Sequence, residues 1–222
     1  MLKTLIECDQ DRKFSRTAMS ANGVFMELPF SQSCENNKAP ILAVLKQALA
    51  PASHVLEIGS GTGQHAVFFS EHLDHLQWQP SDQGEYLTAL KMRLAHYPRP
   101  NLGQPLELDV TGQWPAQSFD GVFTANTCHI MAWDQVVQMW HGVGQVLQPG
   151  GRFCVYGPFN RNGRYTSDSN AQFDQWLIQR DPMSGIRDLE AMQAQGESQG
   201  LSLATIHTMP ANNLLLEFHK AL

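Results

Sequence analysis

Along the chain, short apolar runs alternate with segments in which apolar residues recur every three or four positions. Residues 36–49 place Ile41, Leu42, Leu45 and Leu49 at helical spacing, with Pro40 in the first turn, and predict a helix before the first strand. "HVLEIG" (54–59) then reads as a buried strand, and "GQHAVFFSEHL" (63–73) as a helix that starts inside a glycine loop. The rhythm continues with "HLQWQPSD" as a strand, "EYLTALKMRLAHY" as a helix, and "QPLELDV" and "FDGVFTAN" as strands. "DQVVQMWHGVGQVL" follows as a helix and "GGRFCVYGPF" as a strand. Strand alternating with helix predicts right-handed crossovers and a parallel sheet with helices on both faces, a doubly wound α/β fold. The tail breaks that rhythm. "LSLATIHTM" and "NNLLLEFHK" are separated only by "PA", too short a link for a parallel crossover, so they predict an antiparallel hairpin and a sheet that ends in a reversed strand.

Composition narrows the function classes. At 222 residues and 42% hydrophobic, the chain suits one domain with one core. A formal charge of −6, with no run of Lys and Arg, excludes a protein that grips nucleic-acid phosphates. Cys8, Cys34, Cys128 and Cys154 form no C-x-x-C pair and no metal-ligand spacing, which points to reduced thiols. No stretch approaches the ~20 apolar residues of a membrane span. "MLKTLIECDQD" turns acidic where a signal peptide needs its apolar segment, and a cytoplasmic protein is expected.

The chemistry gathers where strands end. "VLEIGSGTGQHA" (55–66) sets Gly59, Gly61 and Gly63 two apart, with Glu57 just ahead of them. The dinucleotide fingerprint is G-x-G-x-x-G, with a pyrophosphate on the helix N-terminus. Here Gln64 stands where that pattern wants glycine, and the Glu57 carboxylate suits a ligand carrying an ammonium group better than a pyrophosphate. S-adenosylmethionine (SAM) has an ammonium, a sulfonium and no phosphate. In an open α/β sheet the ligand crosses the carboxyl ends of the strands. Asp82 after the second strand is placed to bond ribose hydroxyls, and Asp109 with Val110 after the third to read an adenine edge. A helix cap or a solvated loop residue is the plainer role open to either acid.

These motifs resemble the class I SAM-dependent methyltransferases. The likeness runs through "VLEIGSGTG", Asp82, "LELDV", "FDGVFTAN", "LQPGGRFCVYGPF" and the terminal hairpin, and covers roughly residues 30–222, with residues 1–29 as an N-terminal extension or cofactor lid. It implies seven strands in the order 3-2-1-4-5-7-6 with the last antiparallel. It also implies SAM as cofactor, held by Glu57, Gly59, Ser60, Gly61, Gly63, Asp82, Asp109, Val110 and Asn126. A narrower likeness, to the family of methyltransferase-like protein twenty-six, is carried by "GSGTGQHA", "WQPSD", "GPFNRNGRYTSDSNAQFD", "GIRDLE" and "MPANNLLLEF". That family usually reads Glu-Arg-Asn-Lys where this chain has "ENNK", so Asn36 replaces an arginine.

On the acceptor side, "ANTCHIMAW" offers Asn126, Cys128 and His129. His129 is the candidate base for a hydroxyl, amine or thiol, with a backbone-satisfied structural histidine as the alternative, and Cys128 reads as packing. The run lacks both the Asn/Asp-Pro-Pro-aromatic pattern of amino-methyltransferases and the Pro-Cys nucleophile of cytosine carbon methylation. Residues 157–188 exceed an ordinary strand-to-helix loop. Phe173, Trp176 and Leu177 predict a short helix within them, and the segment is expected to form a substrate lid. In its lead-in, Arg161, Arg164 and Tyr165 are candidates to meet a substrate carboxylate or phosphate, or are simply solvated. Asn212 and Asn213 in "MPANN" are turn residues first and substrate contacts second. Residues 23–38 are expected to close over the cofactor. The expected function is methyl transfer to a small-molecule acceptor; a catalytically silent SAM-binding protein working through a partner and a nicotinamide oxidoreductase are the alternatives.

Overall fold

A computed structural model describes the backbone of Arg16–Met19 and of residues 25–222, with side chains from Leu28 onward. Most of the expected extension over 1–29 therefore lies outside the described residues. Strands β1 (Arg16–Met19) and β2 (Phe25–Leu28) pair antiparallel just before helix α1 (Gln32–Ala48). There follow β3 (His54–Ile58), α2 (Gln64–His72), β4 (Gln77–Asp82), α3 (Leu87–His96), β5 (Leu106–Glu107), β6 (Phe119–Ala125), α4 (Trp133–Val146) and β7 (Leu147–Gly157). The chain ends with β8 (Phe159–Asn160), α5 (Asp168–Arg180), β9 (Arg187–Asp188), α6 (Leu189–Ser198), β10 (Leu201–Met209) and β11 (Asn213–Lys220).

Seven strands form one sheet in the order β5-β4-β3-β6-β7-β11-β10. The first five run parallel, and β11 is antiparallel to both β7 and β10. Numbering every strand from β3, this order is 3-2-1-4-5-9-8 and not the expected 3-2-1-4-5-7-6. The difference is the two-residue β8–β9 ladder, which pairs outside the main sheet. The reversed strand is also not the outermost one, because β10 lies beyond it.

Strand periodicity divides the core between two faces. Leu56, Ile58, Val122, Phe153 and Val155 pack with Trp140 and Phe218, while Val55, Phe123, Cys154 and Tyr156 pack with Ile41, Leu45, Phe69 and Trp78 on the other face. Each fully buried Phe or Trp contributes about 2–3 kcal/mol of apolar burial. Odd-numbered Glu57 shares the face of Val55, so the alternation that builds the core also drives a carboxylate into it.

Three elements depart from the expected bounds. Helix α1 begins at Gln32, where Ser31 accepts from the Cys34 N–H, so Pro40 sits inside the helix and not in its first turn. A proline there takes the helical donor from the carbonyl four residues back. That residue is Asn36, which is exposed. β5 keeps only two of its seven expected residues, because the Asp109 carboxylate bonds the N–H and hydroxyl of Thr111 and turns the chain away from the sheet edge. α6 had no sequence signal: it buries only Leu189 and Met192 as large apolar residues, and carries Gly196 where a Cβ would come within 2.9 Å of the Phe218 ring.

Candidate active site at the carboxyl edge of the sheet

The glycine loop follows the central strand β3. Gly59 has φ +71°, and a Cβ there would lie 2.6 Å from Thr127 Cγ2, so this turn fits against the loop after β6 only without a side chain. Thr127 is held in turn: its hydroxyl lies 2.6 Å from that of Thr124, which donates to the Ile58 carbonyl at 2.9 Å. Gly61, at φ +54°, has no atom within 4 Å of a built Cβ, so its face of the loop is open.

Three of the loop's N–H groups bond within the protein. Ser60 N–H donates to the Ser81 carbonyl at 2.9 Å, Gly63 N–H to the Ser60 carbonyl at 2.8 Å, and Gly61 N–H to Asp82 Oδ2 at 2.6 Å. A phosphate cradle needs such groups free and a site without negative charge. Here the Gly61 N–H is already taken by the Asp82 carboxylate. At that position the loop suits a phosphate-free ligand better than a pyrophosphate.

Glu57 lies behind the loop, 2% exposed. Its Oε2 accepts from Trp78 Nε1 at 3.0 Å and from the Ser60 hydroxyl at 2.9 Å. Burial pushes its pKa up to about 7, against the lowering effect of those two bonds, and the Asp82 charge raises it further. The Ser60 side chain thus braces Glu57, and also accepts from the Ser81 N–H at 3.2 Å, so its expected direct part in cofactor binding falls to its backbone. At the next two strand ends, Asp82 is 8% exposed and its Oδ1 takes the Gln83 N–H. Asp109 is exposed and bonded within its own turn, while Val110 is buried and its carbonyl accepts from Trp114 Nε1 at 3.1 Å.

The segment before α1 is clamped to this loop by residues that pattern reading passes over. Gln64, the departure from the dinucleotide pattern, donates to the Ser31 carbonyl and Glu35 Oε1 and accepts from the Ser31 N–H and the Thr62 hydroxyl. Arg93 on α3 donates to the carbonyls of Thr62 and Pro29. His65, stacked on Phe69, lies 2.7 Å from Asn37 Oδ1. Asn36, at the arginine position of the narrower family, is exposed and accepts from Gln32, outside this clamp. Replacing Arg93 by methionine strands two carbonyls and is expected to lower the unfolding free energy by about 2 kcal/mol; an unchanged denaturation midpoint would remove Arg93 from the clamp.

On the acceptor side, Asn126 ends β6 in the left-handed region, φ +59°, with its N–H on the Tyr156 carbonyl. His129 is 5% exposed, and its ring meets Phe173 edge-to-face at 5.3 Å. Burial, and secondarily the Arg187 charge, push its pKa down to about 4, so the ring is neutral at physiological pH. Cys128 is buried and its thiol pushed up to about 11, in keeping with a packing role.

The segment expected to form a lid folds as β8, α5 and β9, and several of its candidate residues are engaged internally. Arg161 and Arg164 exchange both backbone hydrogen bonds across a tight Asn162-Gly163 turn, and their side chains are exposed. Asp188 and Glu190 hold that turn by its N–H groups. The Tyr165 hydroxyl donates to Asp174 at 2.7 Å, bracing α5. Asn212 donates to Ser169 and Asn213 to the carbonyls of Pro210 and Ala211, so both amide NH2 groups serve the turn and its docking on α5.

A family model described as "Protein of unknown function (DUF938)" matches residues 28–220. Among solved structures, an O-methyltransferase family protein from Burkholderia thailandensis superposes with TM-score 0.75 at 13% identity, over 85% of this chain and 57% of its own. Human N-acetylserotonin methyltransferase, in complex with SAM, gives TM-score 0.73 at 16% identity over 86% and 53%. An O-methyltransferase family 2 protein from Planctomyces limnophilus, in complex with apigenin, gives 0.72 at 15% over 85% and 60%. The likeness establishes a shared fold, and the chain spans between 53% and 60% of the length of these structures. Among the described residues, no helix is long and apolar enough to cross a membrane.

Proposed function

The chain belongs to the DUF938 family, and for it we propose SAM-dependent methyl transfer to a small-molecule acceptor. The observation that carries this reading is the pairing of a glycine loop whose Gly61 N–H is spent on the Asp82 carboxylate with a buried Glu57 behind it, its pKa raised by burial. That pairing disfavours phosphate and favours a cationic ligand. SAM-dependent proteins of the same fold support it. Within the superfamily we place the chain beside methyltransferase-like protein twenty-six, on the motifs quoted above. We place it in the cytoplasm, where the buried thiols of Cys128 and Cys154 stay reduced.

Glu57, the backbone of Gly59, Ser60, Gly61 and Gly63, Asp82, Asp109, Val110 and Asn126 are the residues assigned to the cofactor. Bound SAM would supply a methyl group already activated on its sulfonium. The protein's part is then to align the acceptor and exclude water. His129 presents a neutral ring of low basicity, suited to accept the acceptor's proton as the new bond forms and that proton becomes acidic. Arg161 and Arg164, on the exposed hairpin, are assigned to an anionic group of the acceptor, and the negatively charged chain does not take nucleic acid.

Thermal unfolding with SAM, S-adenosylhomocysteine or NAD added separately tests the cofactor. A ligand at 100 times its Kd adds about 2.7 kcal/mol. Stabilisation by the first two alone is expected; a response to NAD alone would overturn the reading. SAM binding without turnover across an acceptor panel would turn it to the silent SAM-binding protein.

A further inference from the structure

The loop that carries His129 is sewn to the segment after α5 by four hydrogen bonds. Arg187, on β9, donates through Nε to the Cys128 carbonyl at 2.9 Å and through Nη2 to the Met131 carbonyl, and within its own segment to the Met183 carbonyl at 3.0 Å. The Gly185 N–H donates to the His129 carbonyl at 2.9 Å, and the Ser184 hydroxyl to the Ile130 carbonyl at 3.2 Å. The guanidinium also lies over the Trp133 ring, 6.0 Å from its centroid.

We propose that Arg187 is the positioning residue of the acceptor side, one guanidinium that fixes the loop of His129 to the wall formed after α5. The proposal rests on the methyltransferase reading for its purpose, though not for its test. A planar fork with several donors can bind three carbonyls at once, which an ammonium on a flexible stem does less well. All three partners are neutral, so the positive charge is not cancelled by the groups it binds. The ionisable groups facing this region are Arg187 from β9, Asp174 from α5, Tyr165 ahead of α5, and Cys128 within the loop. The Asp174 carboxylate is bonded to the Tyr165 hydroxyl and, at 2.5 Å, to the Ile186 N–H. At His129 it is the Arg187 charge that acts alongside burial, and both disfavour the imidazolium. Arg187 thereby fixes where the ring stands and adds to the burial that keeps it neutral.

NMR on the free protein reads both effects. In Arg187→Met the His129 ring should titrate about one pH unit higher than in the wild type. Exchange of the Ile130 and Met131 amides, both bonded to the Thr127 carbonyl, should quicken at least tenfold. Arg187→Lys keeps the charge and should leave the His129 titration near wild type while the amides still exchange faster. S-adenosylhomocysteine affinity should stay within twofold in both, since none of the cofactor residues bonds Arg187. Unchanged titration and exchange in Arg187→Met would overturn the proposal, as would equal titration shifts in the two variants. Should the methionine variant not fold, the lysine variant decides by exchange: faster supports the proposal and unchanged overturns it. Failure of the wild type to bind S-adenosylhomocysteine would sink the cofactor reading and leave this comparison standing.

Discussion

Glu57→Gln is expected to make the free protein more stable at pH 8 while weakening its hold on SAM. In the folded chain the Glu57 pKa is raised from 4.5 to about 7 by burial. The fold therefore favours the protonated acid. Its contribution to stability is fully present below pH 4.5 and is lost as pH rises through about 7. Above pH 8 the ionised group is a net cost of about 3 kcal/mol, since each tenfold change in proton affinity between the folded and unfolded chain is worth about 1.4 kcal/mol. Glutamine imitates the protonated form, since its carbonyl accepts the same bonds from Trp78 and Ser60. Denaturant unfolding should find the two proteins close at pH 4.5 and the variant more stable by about 3 kcal/mol at pH 8. Parallel stability curves from pH 4.5 to 8 would show that Glu57 is not strained by burial.

Binding should move the other way. A cationic ligand favours the ionised carboxylate, so wild-type SAM affinity should fall as pH drops from 8 to 6, with proton release on binding in that range. Glu57→Gln should weaken binding by about ten- to a hundredfold, the range of a hydrogen bond to a charged group, and flatten that pH dependence. This opposition between stability and binding is the signature of a functional carboxylate. A buried carboxylate with no part in binding would show the same gain in stability with SAM affinity unchanged.

Why Glu57 is legible from sequence, and other residues are not, follows from how each is placed. Alternation along "HVLEIG" sends Val55, Glu57 and the Phe123 neighbour to one face, so an acid inside a buried strand next to a glycine turn is anomalous on its own terms. The sheet and the strand-end acids follow from the same local regularities. Arg93, Gln64 and Arg187 act across sequence separations of up to 64 residues through backbone carbonyls, which carry no side-chain signature. The apolar spacing starts helix α1 four residues too late because Pro40 reads as a first-turn residue, whereas the fold tolerates its missing bond at exposed Asn36. Asp109 shows the converse: its type and spacing are as expected, yet its carboxylate first closes a turn with Thr111.

Gly142→Ala should destabilise the protein, against the local rule. In the interior of a helix alanine is better than glycine by about 1 kcal/mol, and Gly142 lies inside α4. A Cβ at this position, however, would stand 1.8 Å from Trp114 Cε2 and 2.3 Å from Cδ2 and Cζ2. The indole must leave. Its Nε1 then loses the Val110 carbonyl, a bond that closes the turn after β5. Overpacking of this kind costs about 1–3 kcal/mol, so a net loss of about 2 kcal/mol is expected by denaturant unfolding. In a Trp114→Ala background the same glycine substitution should become neutral or stabilising, because the clash is gone and helix propensity remains. A Gly142→Ala variant as stable as the wild type would mean that the indole swings aside at no cost. Because Val110 belongs to the edge assigned to the cofactor, SAM affinity should fall in the single variant too, linking a helix glycine on the far side of the indole to the ligand at the strand ends.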